Sequence, residues 1–197
     1  LDTQVATLSI QGLNYLSSGE TPGLLGNAHP NIVPYQVFPT SDGSIIVAVG
    51  NDSQFQRFTE FIGAGELARD KKYNTNEKRV RNREELTLIL NDIMERMPSK
   101  YWLDGLEQIK VSCGPINRID QVFENEQVIA REMKIQMNHP LTPQKVDLIG
   151  NPIKMSETPA TYRHPPPTLG EHTDALLAEI LDLSEKERKD LRERGVI

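Results

Sequence analysis

What the chain lacks narrows it first. Cys113 is the single cysteine in 197 residues, which excludes an internal disulfide framework and leads to the expectation of a reducing, cytoplasmic compartment. The four histidines, at 29, 139, 164 and 172, stand alone, without the paired spacing of a metal site. There is no phosphate-binding P-loop, no G-x-G-x-x-G and no H-E-x-x-H. No apolar run approaches the length of a membrane span and no signal-peptide pattern opens the chain, so no membrane partner is expected. Basic residues are outnumbered 22 to 28, and a net charge of −6 argues against nucleic acid. Aromatic residues are sparse, at 6%.

What is present suffices for one good domain or two small ones. The organising stretch is Gly26 to Asp52. A small-residue loop punctuated by Pro30 and Pro34 leads into an extended Tyr35–Val37 segment, a turn at Ser41-Asp42-Gly43, and an apolar return through Ser44–Val49. Two β-branched runs around an Asp-Gly turn predict a hairpin. Ser53 to Ile62 then reads as a helix whose stripe is Phe55, Phe58, Phe61 and Ile62, a core face. Leu1 to Ser18 reads as one amphipathic helix capped by Gly19. Lys71 to Arg81 is charged enough to predict an exposed loop. Asn82 with Glu85 resembles a capping pair opening a helix through Met97, and Pro98-Ser99 opens another with Tyr101, Trp102, Leu106 and Ile109 on one face. Val111 to Ile116 reads as an apolar run broken by Gly114-Pro115, then short helices over Asp120–Glu124 and Gln127–Arg131. Met133, Ile135 and Met137 alternate as in a half-buried strand, Asn138–Lys145 reads as a loop, and Leu148-Ile149 and Ile153–Met155 as short strands. The four prolines between Pro159 and Pro167 predict an extended strap. Two helices follow, over Gly170–Leu181 and, opened by a Ser184/Glu187 capping box, up to Gly195.

Residue chemistry alone yields no catalytic constellation. His29 is either a backbone-bonded loop residue or a substrate-facing one, since Gly26 and Asn27 favour an open loop. His172 reads as a capping or packing residue, Cys113 as a small buried hydrophobe rather than a nucleophile, Asp42 as a turn residue, and Asp52 as a helix cap beside Asn51 and Ser53.

The run Gly26-Asn27-Ala28-His29-Pro30-Asn31-Ile32-Val33-Pro34-Tyr35-Gln36-Val37-Phe38, with Asp42-Gly43, Ala48-Val49-Gly50-Asn51-Asp52, Gln54-Phe55, Cys113-Gly114-Pro115-Ile116-Asn117 and Leu169-Gly170-Glu171-His172-Thr173, resembles the class III CoA-transferase (CaiB/BaiF) family. The resemblance covers essentially the whole chain. It implies CoA transfer between an acyl-CoA and a carboxylic acid through an aspartyl anhydride and an aspartyl-CoA thioester. No position here matches the nucleophilic aspartate, which is expected upstream of Leu1, so no catalytic residue is assigned and this stretch alone is expected to be inactive. No bound cofactor is implied; a coenzyme A thioester is the substrate. The loop at 26–36 corresponds to one that shields the intermediates from water. Here only Gly26 is glycine, and His29-Pro30-Asn31 stands where a glycine run is usual. Gly26, Asn27, His29, Tyr35 and Gln36 are therefore the candidate substrate-binding residues. The form of the loop suggests dicarboxylates such as succinate or glutarate.

The fold class expected is α+β: a small domain with a short antiparallel sheet and flanking helices, plus terminal helices belonging to a Rossmann-like large domain. The expected divisions are 1–24, a helix of the large domain; 25–140, the small domain; 141–169, the strap; and 170–197, helices returning to the large domain. A start at Leu1, without methionine, leads to the expectation of a fragment or processed chain. The partner expected by resemblance is a second copy in an interlocked homodimer, or the missing N-terminal part. Two alternatives stay open: an acyl-CoA racemase of the same family, with Asp52 near the position of its carboxylate, and a non-catalytic binding or assembly subunit.

Overall fold

The hairpin that the Asp-Gly turn predicts is the centre of the structure, a computed structural model that describes residues 1–197. Strand β1 (Tyr35–Thr40) pairs antiparallel with β2 (Gly43–Ala48), with Phe38 opposite Ile45 and Thr40 opposite Gly43. The Gly114-Pro115 break proves to be the end of a third strand, β3 (Ser112–Pro115), which pairs along β2 with Cys113 opposite Val47. Pro115 is tolerated because β3 is an edge strand.

Side chains alternate across the sheet, so Phe38, Thr40, Ile45, Val47 and Val49 turn to one face and are buried. Three helices cover that core. Phe55 and Phe58 come from α3 (Asp52–Phe61), Leu86, Leu90 and Met94 from α5 (Arg83–Met94), and Trp102 and Leu106 from α6 (Ser99–Gln108). The indole Nε1–H of Trp102 donates to the Met94 carbonyl at 2.8 Å, so the ring is buried without an orphaned donor. Helices α1 (Asp2–Ala6), α2 (Ser9–Ser18) and α4 (Asn76–Arg81) complete the unit Leu1–Ile116.

Asn117–Ile197 forms a second compact unit: α7 (Ile119–Glu124), α8 (Glu126–Ala130), a hairpin of β4 (Lys134–His139) and β5 (Thr142–Ile149), an extended segment, α9 (Thr173–Leu181) and α10 (Glu185–Glu193). It buries none of its large apolar side chains. The fold is thus α+β, with ten helices and two small antiparallel sheets. No helix is long and apolar enough to cross a membrane.

Several local expectations are corrected. The N-terminal helix is broken at Thr7-Leu8, where the Thr7 hydroxyl donates to the Gln4 carbonyl and Ser9 adopts φ 45°. Gly19 does terminate it, at φ 76°. Asn51, not Asp52, caps α3, accepting from the Gln54 N–H at 2.9 Å. Asn82 makes no side-chain cap on α5; its amide instead donates to the Lys78 and Lys72 carbonyls, while Glu85 pairs with Lys72. The expected 138–145 loop is instead the end of β4, a two-residue turn at Pro140-Leu141 and the start of β5, and 153–155 is not a strand. The Ser184/Glu187 capping box forms as the sequence predicts.

Asp42 does more than shape its turn. Its Oδ1 accepts from the Ser99 N–H at 2.8 Å, the Ser99 hydroxyl at 2.9 Å and the Thr40 hydroxyl at 3.0 Å, capping α6 from across the fold. These bonds, the Ser99 amide first, hold its carboxyl below the ordinary value of 3.8. A depressed folded value means the contribution is complete above about pH 3.8 and is lost as pH falls below it. Acid titration of thermal stability should show this loss in the native chain and not in Asp42→Asn, which is already weakened at neutral pH.

Gly105 supplies the second test. A Cβ there would lie 2.0 Å from Cζ of Phe61, whose ring packs edge-on to Trp102. Gly→Ala in a helix normally gains about 1 kcal/mol, but this contact should reverse the sign and cost about 1–3 kcal/mol. Thermal melts of Gly105→Ala, alone and with Phe61→Leu, should show the loss and its partial relief.

Candidate functional site

The loop from Gly26 to Pro34 has no regular secondary structure, yet it is tightly held. Its entry is a turn closed by the Ala28 N–H to the Leu25 carbonyl at 3.0 Å, with Gly26 at φ 58°, a conformation that favours glycine. Asn27 accepts the Val37 N–H at 2.8 Å. His29 folds back on the strand: its N–H donates to the Tyr35 carbonyl at 2.9 Å, its Nδ1 accepts the Asn31 N–H at 3.1 Å, and its ring stacks on Tyr35 with centroids 5.2 Å apart.

Four side chains from outside the loop hold it in place. Arg83 donates to the carbonyls of His29 and Pro30. Asn76 bridges the Asn31 carbonyl and the Val33 N–H, at 2.7 and 3.1 Å. Asn14 of α2 exchanges two 3.0 Å amide bonds with Asn31. Arg79 is the deepest. Wholly buried, it donates through Nε to the Val33 carbonyl at 2.7 Å, through Nη1 to the Tyr73 carbonyl at 3.0 Å and through Nη2 to Asp52 at 2.9 Å. Its guanidinium lies 4.2 Å from the centroid of the Phe55 ring. Burial pushes its pKa down against the opposing pull of Asp52.

Sequence reasoning missed this clamp, because 71–81 reads as solvated loop. The available signal was Thr75 ahead of Asn76-Glu77, with Lys78, Arg79 and Arg81 behind: a polar cap, an acidic first turn and a basic last turn.

The five candidate residues do not all converge. His29 and Tyr35 meet by stacking, and Gly26 and Asn27 form the exposed entry turn. Gln36 points to the opposite face of β1, where its Oε1 accepts from the Thr87 hydroxyl at 3.5 Å. Asp52 is committed to Arg79 and lines a separate hollow of about 380 Å³ with Gln56, Glu60 and Arg69. Cys113 is half-buried, with burial pushing its thiol pKa up, the reverse of an activated nucleophile. His172 begins α9 without capping it, its ring 6.0 Å from that of His164. No cluster of three or more His, Cys, Asp or Glu is placed to hold a metal.

Arg79→Met should leave two buried carbonyls and Asp52 without their donor and cost about 3 kcal/mol or more. Asp52→Asn should cost only about 1 kcal/mol, because the carboxylate is 54% exposed and water takes its place. Denaturant titrations of both variants and of the double variant measure the coupling.

Comparison with known proteins adds the context. The sequence profile of CoA-transferase family III matches residues 1–173. The succinate–glutarate CoA-transferase of Agrobacterium fabrum is 42% identical over 91% of the chain and 45% of its own length. The succinyl-CoA:glutarate CoA-transferase of Homo sapiens is 38% identical over the whole chain and 45% of its own length. A crystal structure of a CaiB/BaiF family protein from Brucella suis superposes with a TM-score of 0.72 at 41% identity, covering 88% of this chain and 44% of that one. The chain therefore spans about half the length of the relatives it matches.

Proposed function

Because the chain belongs to CoA-transferase family III, we propose that it supplies the acyl-site loop of an enzyme moving CoA between an acyl-CoA and a carboxylic acid, dicarboxylic on the precedent of its relatives. The observation that carries this reading is the loop itself. Arg79, Arg83, Asn76 and Asn14 fix its backbone, while the stacked His29 and Tyr35 side chains are left on its outer face. A fixed backbone with two polar rings presented together suits a wall that orders a substrate rather than a solvated linker.

In the proposed reaction an aspartate outside residues 1–197 attacks the thioester carbonyl and expels CoA thiolate, giving a mixed anhydride. The thiolate then attacks the aspartyl carbonyl, releasing the first acid and leaving an aspartyl-CoA thioester. The acceptor acid repeats the sequence in reverse. A carboxylate suits the task because each acyl intermediate stays activated, and for the same reason each is open to water. In this reading the 26–36 loop walls off water. The unit Asn117–Ile197 and helices α1 and α2 pack on the catalytic domain, and a second copy completes an interlocked dimer. The poorly covered apolar side chains Leu13, Leu16, Leu176 and Ile180 support that packing.

The test is the whole protein carrying this chain, assayed for CoA transfer from succinyl-CoA to glutarate and, separately, for succinyl-CoA hydrolysis. Tyr35→Phe removes one hydroxyl and keeps the stacked ring. It should lower the transfer-to-hydrolysis ratio about three- to tenfold at an unchanged melting temperature. A fall in melting temperature with an unchanged ratio would make the loop purely structural.

A further inference from the structure

His29 and His139 are each followed by proline, and the two segments close the same turn. In His29-Pro30-Asn31 the imidazole Nδ1 accepts the backbone N–H two residues on, at 3.1 Å. In His139-Pro140-Leu141 it does so at 3.2 Å. A ring nitrogen that accepts a hydrogen bond presents its lone pair, so the neutral ring must carry its proton on Nε2. At His139 the other half of the argument is visible. Its Nε2 lies 3.1 Å from the Pro166 carbonyl oxygen, which can only accept, so Nε2 is the donor.

His29 is the same device with its Nε2–H left unused by the protein. A ring turned over in its plane would put a carbon where Nδ1 accepts the Asn31 N–H, and a ring tilted out of that plane would lose the stack on Tyr35. The backbone beneath it cannot yield easily either, because Arg83 grips the His29 and Pro30 carbonyls. The result is an N–H donor of fixed identity on the ring stacked against Tyr35. The Tyr35 hydroxyl, on the ring stacked alongside, also makes no hydrogen bond within the protein. Each of the two stacked rings, 5.2 Å apart by centroid and 16° from parallel, thus offers one unused donor, and a carboxylate has two oxygens to accept.

Resting on the reading that this loop lines the acyl site, we propose that His29 is the specificity residue of the reaction. Its Nε2–H, together with the hydroxyl of the stacked Tyr35, binds the remote carboxylate of a dicarboxylic acid, the group that does not react. Asn31 acts through its backbone amide alone, setting the tautomer.

The tautomer can be read directly. In the whole protein carrying this chain, labelled with 15N at histidine, the His29 signals, assigned by their loss in His29→Gln, should show a protonated Nε2 and an acceptor Nδ1. A protonated Nδ1, or exchange between the two forms, overturns the proposal.

Two replacements then separate donor from turn in the whole protein. His29→Asn keeps a short acceptor for the Asn31 N–H, as in an Asx turn, and removes the Nε2–H. His29→Gln keeps an N–H at the distance of Nε2 but cannot close the turn. With succinyl-CoA as donor, His29→Asn should raise KM for glutarate about tenfold, and raise KM for butyrate far less. His29→Gln should instead lower the melting temperature and raise the glutarate KM less than His29→Asn does. Native transfer with a glutarate KM unmoved in His29→Asn, or glutarate and butyrate shifted equally, overturns the assignment of His29 alone. A wild-type protein that transfers CoA to neither acid overturns the functional reading, and this proposal with it.

Discussion

Everything near the loop depends on one buried cation. Arg79 sits at zero exposure with a single counter-charge, Asp52, that is itself half in water. A guanidinium can stay charged there only if its donors are satisfied. Each of its three nitrogens donates to a different piece of chain: the Val33 carbonyl of the loop, the Tyr73 carbonyl ahead of α4, and Asp52 at the start of α3. Phe55 supplies the ring face beneath. Moving any of these pieces strands a buried donor or acceptor. The loop is therefore held by the same charge that joins α3 to α4, which makes it a wall of the domain rather than a free flap.

The first unit uses polar groups in the same way elsewhere. Asp42 joins the hairpin turn to the first turn of α6, and Ser41 donates to the Met97 carbonyl beside it. Both contacts attach the sheet end to the start of α6, and the Asp42 contact gives the Ser99 N–H, in the first turn of that helix, a partner it would otherwise lack. The second unit has no comparable interior. Its closures are local: the Asn151 N–H to the Tyr162 hydroxyl at 2.6 Å, His139 to the Pro166 carbonyl, and Asp174 paired with Arg188 and Arg192. Half-exposed ion pairs of this kind contribute little, and Ile149, Ile153, Met155 and Ile180 remain largely exposed.

The site follows from the strand geometry. Neighbouring residues on β1 face opposite ways, so Tyr35 joins His29 while Gln36 turns toward α5. A list of adjacent candidates thus divides into a stacked pair and a packing residue. Asp52 has one carboxylate oxygen, Oδ1, engaged by Arg79, and its side chain is otherwise half exposed.

The sequence by itself determined what depends on local pattern: the hairpin around Asp42-Gly43, the Phe55–Phe58 stripe of α3, the Leu86–Leu90–Met94 face of α5, the Ser184/Glu187 capping box, and the family resemblance. Each is set by a period or a cap within a few residues, where neighbours in sequence are neighbours in space. The tertiary structure alone decided the burial of Arg79, the capping of α6 by Asp42 over 57 residues, the pairing of Asn14 with Asn31, and the division of Tyr35 from Gln36. A charged residue in a polar stretch reads as solvated unless its partners are known. Those partners are backbone carbonyls and side chains far off along the chain, whose positions exist only once the core has formed.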